Sequence, residues 1–252
     1  MVDYRSANQI SNYFEAIRTL LDHVARTQGK VMNEVAELLA DTVVSNHTIY
    51  ITGCSHSSIF AQEVYFRAGG FMLMNPLFLP GMVLGVPPVT LTSRYERIPG
   101  IAQAVLEESP IQKGDVLIVA SVSGRNIVPV ELALCARELG AKVVALTSEA
   151  YSGLVSSRHD SGKRLYEIVD YILDMMSPPG DAMLGIDGLK QRTAPSSTIV
   201  GVTILHAVIA QTLQRLVDKG VAPPVFLSAN LDGADDYNRE MLKKYRDHIH
   251  YM

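Results

Sequence analysis

The chain has 252 residues, of which 48% are hydrophobic, and its formal net charge is −4 at pH 7. A chain of this size can bury a sizeable core and suits one large α/β domain, or one domain with helical additions. The overall charge gives no sign of the strongly basic face that nucleic-acid-binding proteins usually carry.

The two cysteines, Cys54 and Cys135, lie far apart and outside any Cys-x-x-Cys or Cys/His cluster. This spacing argues against a disulfide framework or a zinc finger and favours a reducing compartment. The N-terminal segment lacks the continuous apolar run of a signal peptide. Glycine, proline or charge interrupts the apolar stretches before the ~18 residues that a membrane span needs. We therefore expect a cytoplasmic protein that contacts neither nucleic acid nor membrane.

Residues 4–44 show two amphipathic patterns with a break near Gly29, which predict two N-terminal helices. A short apolar strand, Thr48–Thr52, then changes sharply into the sequence GCSHSS. Helical spacing resumes at Ile59 and continues to Gly69 and Gly70, a pair typical of a helix C-terminus. A further strand is predicted at Leu77–Pro80, followed by a loop and a helix over residues 98–109.

The clearest local architecture lies in the middle of the chain. Val116–Ala120 is a continuous apolar run, as expected of a strand covered on both faces. The small-residue loop SVSGRN follows, then a helix at Ile127–Leu139 and a strand at Lys142–Leu146. A strand, helix and strand in this order predict two parallel strands joined by a right-handed crossover.

The last third begins with a buried strand at Tyr171–Asp174. Residues 175–197 are rich in proline and glycine and predict a long loop, which in a compact domain is usually functional or disordered. A long helix is predicted from Ser196 to Lys219, with Ser196 or Ser197 as its N-cap. The tail, residues 220–252, ends in a charged helix, and no change in composition marks a second domain.

Two loops share one design, in which an apolar strand is followed by glycine and serine and then by a helix. Helix N-termini attract anions, small residues let the backbone approach the anion, and serine hydroxyls add donors. In an open parallel sheet both loops lie at the carboxyl ends of strands, where ligands bind. The donors are Gly53, Ser55, His56, Ser57 and Ser58 in loop one, and Ser121, Ser123, Gly124 and Asn126 in loop two.

The second of these loops carries a resemblance to a known family. The segment IVASVSGRNIVPVELALCARELGAKVVALTS resembles the second motif of the sugar isomerase (SIS) domain, in which S-x-S-G-x-[ST] follows an apolar strand. The segment IYITGCSHSS is similar to the first motif, a strand that ends in G-x-G-x-S. The resemblance spans roughly residues 4–220 and is nearest to the phosphoheptose-isomerase-like branch. The stretch SRH-x-SGKRL and the ending PPVFLSAN-x-DG also resemble uncharacterised bacterial sugar isomerase domain proteins.

The resemblance implies an α/β fold, namely a three-layer α-β-α sandwich with a mainly parallel five-stranded sheet, Rossmann-like, preceded by a helical hairpin. Residues 1–252 would form a single SIS domain. It would comprise a hairpin at 4–45, an α/β core at 46–220 and a C-terminal extension at 221–252. Relatives of this fold assemble as dimers or tetramers, so a homodimer or homotetramer is expected.

The resemblance further implies an enzyme of carbohydrate metabolism, most simply an aldose–ketose isomerase acting on a sugar phosphate. Two alternatives stay open: a non-catalytic module that senses a sugar phosphate, and an etherase-type lyase acting on an amino-sugar phosphate. No full G-x-G-x-x-G with a following acidic residue is present, so dinucleotide binding is disfavoured.

The family's phosphate-binding roles fall on Gly53, Ser55, Ser57, Ser121, Ser123, Gly124 and Asn126. Ser55 would be the loop-one donor, Cys54 would stand at the motif's second glycine, and Asn126 replaces the usual Ser or Thr.

Isomerisation needs a base that moves a proton between two carbons, and an acid. The candidates are Glu63 on the helix after loop one, His56 within that loop, and His206 on the long C-terminal helix. Alternatively, Glu63 is a solvated helix residue, His56 an exposed loop residue and His206 a core residue. No cofactor is expected, although these three side chains would also suit zinc.

The basic cluster of Arg158, His159, Lys163 and Arg164 is either a substrate contact or an exposed loop. Asp181 is either a ligand contact or a turn residue.

Overall fold

A computed structural model gives the structure of residues 8–252, so residues 4–7 of the predicted first helix lie outside the described part of the chain. Its helices are α1 (Gln9–Thr27), α2 (Gly29–Val44), α3 (Ser58–Val64), α4 (Thr90–Tyr95), α5 (Ile101–Glu107), α6 (Ile127–Glu138), α7 (Glu149–Gly153), α8 (Ser197–Asp218) and α9 (Ala234–Lys244). Its strands are β1 (Ile49–Gly53), β2 (Met74–Pro76), β3 (Val116–Ala120), β4 (Lys142–Thr147), β5 (Tyr171–Asp174), β6 (Ala182–Leu184) and β7 (Thr193–Pro195).

The main sheet has five strands in the order β2-β1-β3-β4-β5, and each pairing is parallel. In register, Gly53 lies opposite Ala120, and Ala120 lies opposite Leu146. The carboxyl ends of β1 and β3 are therefore level with each other. This register brings the two serine-rich loops side by side at the carboxyl ends of the strands.

The sheet is covered on both faces, and alternate strand residues enter two separate cores. Ile51 and Ile118 pack in the core that includes residues of α2, α3 and α8. Leu117 and Val119 pack in the opposite core, which includes residues of α5 and α6. This confirms the predicted α/β fold with a helical N-terminal region.

The helix after loop one is shorter than the sequence pattern predicts. It ends at Val64, and Tyr65 is extended, with φ −105° and ψ 158°. The ring of Tyr65 packs edge-on against Phe78, with centroids 5.5 Å apart, and Phe66 packs against Phe226 at 5.3 Å. These aromatic contacts draw the chain out of the helix, so the predicted extension to Gly69 is wrong.

The predicted strand at Leu77–Pro80 is also misplaced, because β2 comprises Met74–Pro76. Its residues pair with Ile49, Tyr50 and Ile51 of β1, and one further bond joins Leu77 N–H to Ile51 O at 2.8 Å. Proline lacks an N–H group and is tolerated in a sheet only at an edge, which is where β2 lies.

The predicted long loop at 175–197 contains an antiparallel hairpin formed by β6 and β7. Ala182 pairs with Pro195, and Leu184 pairs with Thr193. The tail contains the expected charged helix as α9. By length and composition alone α8 could cross a membrane. In this fold α8 instead buries nine residues against the core, and this burial accounts for its apolar composition.

Candidate functional site

Both serine-rich loops line one cleft of about 280 Å³ at the carboxyl ends of the strands. Pockets for drug-sized ligands span about 300–1,000 Å³, so this cleft suits a small ligand. The lining residues from the two loops are Cys54, Ser55, His56, Ser57, Ser121, Val122, Ser123 and Asn126. Two motifs that are 68 residues apart at Gly53 and Ser121 therefore converge on a single space.

Loop two presents a run of unpaired donors to this cleft. Within residues 8–252, the backbone N–H groups of residues 123–126 donate to no protein acceptor. The hydroxyls of Ser57, Ser121 and Ser123 likewise have no hydrogen-bond partner in the described part of the chain. Helix α6 begins directly afterwards, and its N-terminus adds a partial positive charge. The site therefore offers several donors and a favourable field to one anionic group.

Loop one adopts its shape through two backbone positions. A Cβ atom at Gly53 would lie 2.4 Å from the carbonyl oxygen of Ser57, so only glycine fits there. Ser55 has φ 54°, the left-handed conformation that glycine favours. Its N–H donates to Met82 O at 2.7 Å, and its hydroxyl pairs with Thr92 Oγ1 at 2.9 Å.

Because Ser55 has the left-handed backbone that glycine favours, it takes the place of the second glycine in G-x-G-x-S. The motif then covers Gly53, Ser55 and Ser57. The assignment of the second glycine to Cys54 is therefore corrected. Cys54 is buried among apolar residues, and this burial raises the pKa of its thiol. Ser57, whose hydroxyl is unpaired, is better placed than Ser55 to donate to an anion.

Asn126 is held between two charged side chains. Its amide Nδ2 donates to Glu96 Oε2, and its Oδ1 accepts from Arg158 Nη1 at 2.6 Å. Glu96 lines the same cleft and is 9% exposed. Glu96 is not among the residues predicted from the sequence, because it follows the short helix α4, where no motif marks a functional residue.

The electrostatics of this group follow from burial and charge. Burial raises the pKa of Glu96, while the hydrogen bond from Asn126 and the charges of Arg97 and Arg158 lower it in part. Burial also lowers the pKa of Arg158, and the nearby charges of Arg125 and Arg97 add to that effect. Arg97 and Arg125 thus repel the charge of Arg158, whose guanidinium donates to the cleft-lining Asn126.

Glu63 and His206 lie together, as the sequence analysis allows. Glu63 Oε1 is 3.2 Å from His206 Nε2, and Arg67 forms an ion pair with the same carboxylate. Burial and the charge of Arg67 lower the pKa of His206, which favours the neutral imidazole. Neither Glu63 nor His206 lines the cleft formed by the loops, whereas His56 does. The structure thus separates the three candidates into a helix-face pair and a cleft residue.

The basic segment after α7 is held mainly by its own hydrogen bonds. Ser157 Oγ donates to Lys163 O at 2.7 Å, and His159 Nδ1 lies 2.8 Å from Ser161 Oγ. Arg164 pairs with Glu167 at 2.9 Å and lowers the pKa of that carboxyl to about 2. Of the four predicted basic residues, Arg158 is the one whose side chain bonds to a cleft-lining residue among residues 8–252.

Asp181 lines the cleft and caps helix α8. Its Oδ1 accepts the N–H groups of Ser196 at 3.0 Å and Ser197 at 2.8 Å, and also the Ser196 hydroxyl at 2.9 Å. The predicted N-cap, Ser196, makes no capping bond with its own side chain. A carboxylate from a separate segment does so instead.

Replacing Asp181 by alanine should lower the free energy of unfolding by about 1–2 kcal/mol, since the first turn of α8 loses its acceptor. Urea denaturation measures this change. Asp187→Ala is the matched control, because Asp187 is exposed and makes no side-chain hydrogen bond in the described chain. Equal stability of the two variants would contradict the capping role.

The zinc hypothesis gains no support from geometry. Within the described residues no three His, Cys, Asp or Glu side chains are grouped so that they could hold a metal ion.

The parallel sheet with helices on both faces, and the cleft between two loops at the carboxyl ends of its strands, define a Rossmann-like α/β protein. The sequence model of the SIS domain matches residues 12–148. The UPF0309 protein ABC0887 of Shouchella clausii is 41% identical over 243 residues, which are 96% of this chain and 99% of that protein. The UPF0309 protein SCO4393 of Streptomyces coelicolor is 41% identical over 252 residues, 100% of this chain and 99% of that protein. The chain belongs to the SIS domain family, among the UPF0309 proteins.

Two solved structures share this fold. A phosphoheptose isomerase from Francisella tularensis matches with a TM-score of 0.55 and 16% identity, over 82% of this chain and 97% of that one. The phosphoheptose isomerase GmhA from Neisseria gonorrhoeae matches with a TM-score of 0.50 and 16% identity, over 83% and 97%. At this identity the likeness shows the fold alone.

Proposed function

We propose that this protein binds a sugar phosphate between its two serine-rich loops and interconverts aldose and ketose forms of that sugar. The observation that carries the proposal is the convergence of loops one and two on one small cleft. The unpaired N–H groups of residues 123–126 and the hydroxyls of Ser57, Ser121 and Ser123 would hold the phosphate. The rest of the sugar would occupy the remainder of the cleft.

A phosphate group fits this site in both charge and geometry. Phosphate presents three acceptor oxygens and about two negative charges, and it matches a set of N–H and O–H donors at a helix N-terminus. Hydrogen bonds to a charged group contribute about 1.5–3 kcal/mol each. Arg158, which donates a hydrogen bond to the cleft-lining Asn126, adds positive charge nearby. An unphosphorylated sugar would leave most of these donors unused.

The expected result with full-length protein is a rise in Tm with aldose or ketose phosphates and none with the same sugars unphosphorylated. Ligand at about 100 times Kd stabilises by about 2.7 kcal/mol, which raises Tm by roughly 5–10 °C for a chain of this size. Ser57→Ala/Ser123→Ala should weaken binding by about 100-fold, because two charge-assisted hydrogen bonds are lost.

Ser45→Ala serves as the control, since Ser45 is exposed after α2 at the other end of β1. Equal shifts with phosphorylated and unphosphorylated sugars would refute phosphate recognition. Undiminished binding by the double variant would do the same.

The isomerase part of the proposal needs an acid and a base at the sugar carbons. Glu63, His206 and His56 remain predicted catalytic residues, and the 3.2 Å contact between Glu63 and His206 supports a functional pair. That pair lies outside the cleft lining, which favours a second candidate function, a sensor that binds the sugar phosphate without turnover. Binding without turnover of any phosphosugar would favour the sensor.

A homo-oligomer in the cytoplasm stays part of the proposal. Ile10 and Phe14 of α1 are 64% and 55% exposed, and apolar side chains of this kind support association through the N-terminal helices.

A further inference from the structure

Two carboxyl groups lie in the wall of this cleft, that of Asp181, which caps α8, and that of Glu96. Glu96 follows α4, and its backbone carbonyl accepts from Val128 N–H at 3.1 Å, which ties it to the first turn of α6. A buried carboxylate beside a bound phosphate would be repelled, so the position is costly for binding alone. Its presence there calls for a role in chemistry.

The two oxygens of Glu96 have different surroundings. Oε2 accepts from the amide of Asn126, which orients the carboxyl group. Oε1 has no hydrogen-bond partner among residues 8–252 and keeps some contact with solvent. Glu96 therefore lines the cleft with Oε2 fixed by a hydrogen bond and with Oε1 free to accept one.

The surroundings of Glu96 shift its pKa in the direction that favours a general base. Burial raises the pKa of its carboxyl, and a general base works best when its pKa approaches the working pH. The titratable and charged groups that face it or line the same cleft are Arg97, Arg158, the Cys54 thiol, His56, Tyr151 and Asp181.

Glu63 is less suited to act in this cleft. Its carboxylate is already shared by Arg67 and His206, and it does not line the space between the loops.

We propose that Glu96 is the group that moves the carbon-bound proton of the sugar phosphate held by the two loops. This inference rests on the proposed function. In the forward step Oε1 takes the proton from C2 of the open-chain aldose phosphate. The C–H electrons form the C1–C2 double bond, and the carbonyl electrons move to O1. Glu96 then returns the proton to C1, while the O2 hydroxyl proton passes to O1 through water as the C2 carbonyl forms. The reaction needs no oxidant or reductant.

The test follows exchange of the sugar's carbon-bound hydrogen with D₂O by proton NMR. Full-length wild type, Glu96→Gln and Glu108→Gln are compared, the last because Glu108 is an exposed glutamate at the end of α5. Glu96→Gln should slow exchange by at least about 100-fold, the lower end of what general acid–base catalysis contributes, and should keep the phosphosugar Tm shift. Glu108→Gln should match wild type.

The outcomes separate the two proposals. If wild type shows no phosphosugar Tm shift, the proposed function fails. If wild type binds a phosphosugar but exchanges no hydrogen, or if Glu96→Gln exchanges within about threefold of wild type, the role of Glu96 is overturned. Loss of exchange in Glu63→Gln alone would also overturn it and assign the role to the helix-face pair.

A second variant covers the case in which Glu96→Gln does not fold. Asn126→Ala keeps the carboxyl group but removes the hydrogen bond that lowers its pKa. The acid limb of the exchange rate against pH should therefore move to higher pH. An unchanged acid limb would contradict the assignment.

Discussion

Gly53→Ala is expected to abolish phosphosugar binding and to lower the free energy of unfolding by about 3 kcal/mol. The added Cβ would lie 2.4 Å from Ser57 O, 2.7 Å from Ser57 C and 3.1 Å from Ala120 O. All three are backbone atoms, so no side-chain rotation relieves the clash. Overpacking of a buried site usually costs about 1–3 kcal/mol, and here loop one must move as well.

Urea denaturation and the phosphosugar Tm shift measure the two effects of this substitution. Gly29→Ala is the control, because a Cβ at Gly29 meets nothing within 4 Å. That change should be neutral or slightly stabilising, since alanine is the better helix former. A Gly53→Ala protein with wild-type stability and binding would show that loop one does not depend on this close approach.

Gly201→Leu should be the most destabilising single change in the long core helix, costing at least about 3 kcal/mol. Even a Cβ at Gly201 would lie 2.4 Å from Phe60 Cε1 and 2.8 Å from Met175 Sδ. Phe60 is 2% exposed and Met175 is fully buried, so neither has room to withdraw. The glycine sets how closely α8 approaches α3.

A double-mutant cycle checks this explanation. Phe60→Ala alone should cost about 3–5 kcal/mol by leaving a cavity. Combined with Gly201→Leu, the new side chain should fill part of that cavity, so the total loss should be smaller than the sum. Gly185→Leu, where nothing lies within 4 Å, is the control. Additive losses would mean that Phe60 and Gly201 do not interact.

The buried strands illustrate what a local pattern can predict. Val116–Ala120 and Tyr171–Asp174 have the bounds expected from their apolar runs. A strand covered on both faces needs such a run whatever its neighbours are, so the signal is local. The same holds for the two glycine- and serine-rich loops after β1 and β3, because their residue types alone mark them in the sequence.

The errors arose where distant contacts outweighed local preference. The helix after loop one continues by its spacing, yet the packing of Tyr65 and Phe66 on distant aromatic rings ends it. Asp181, interpreted as either a ligand contact or a turn residue, caps a helix that starts 16 residues later. A pattern of neighbouring residues cannot predict a hydrogen bond between residues that far apart in the sequence.

The amino-acid sequence alone was enough to predict the fold class, the family and the positions of the two glycine- and serine-rich loops, because short stretches of residues encode each of them. Only the folded chain decided that Ser55 takes the glycine position, that Glu63 and His206 lie outside the cleft, and that Glu96 lies within it. Those positions depend on strand register and on contacts between side chains from separate segments. Residue spacing does not encode such contacts.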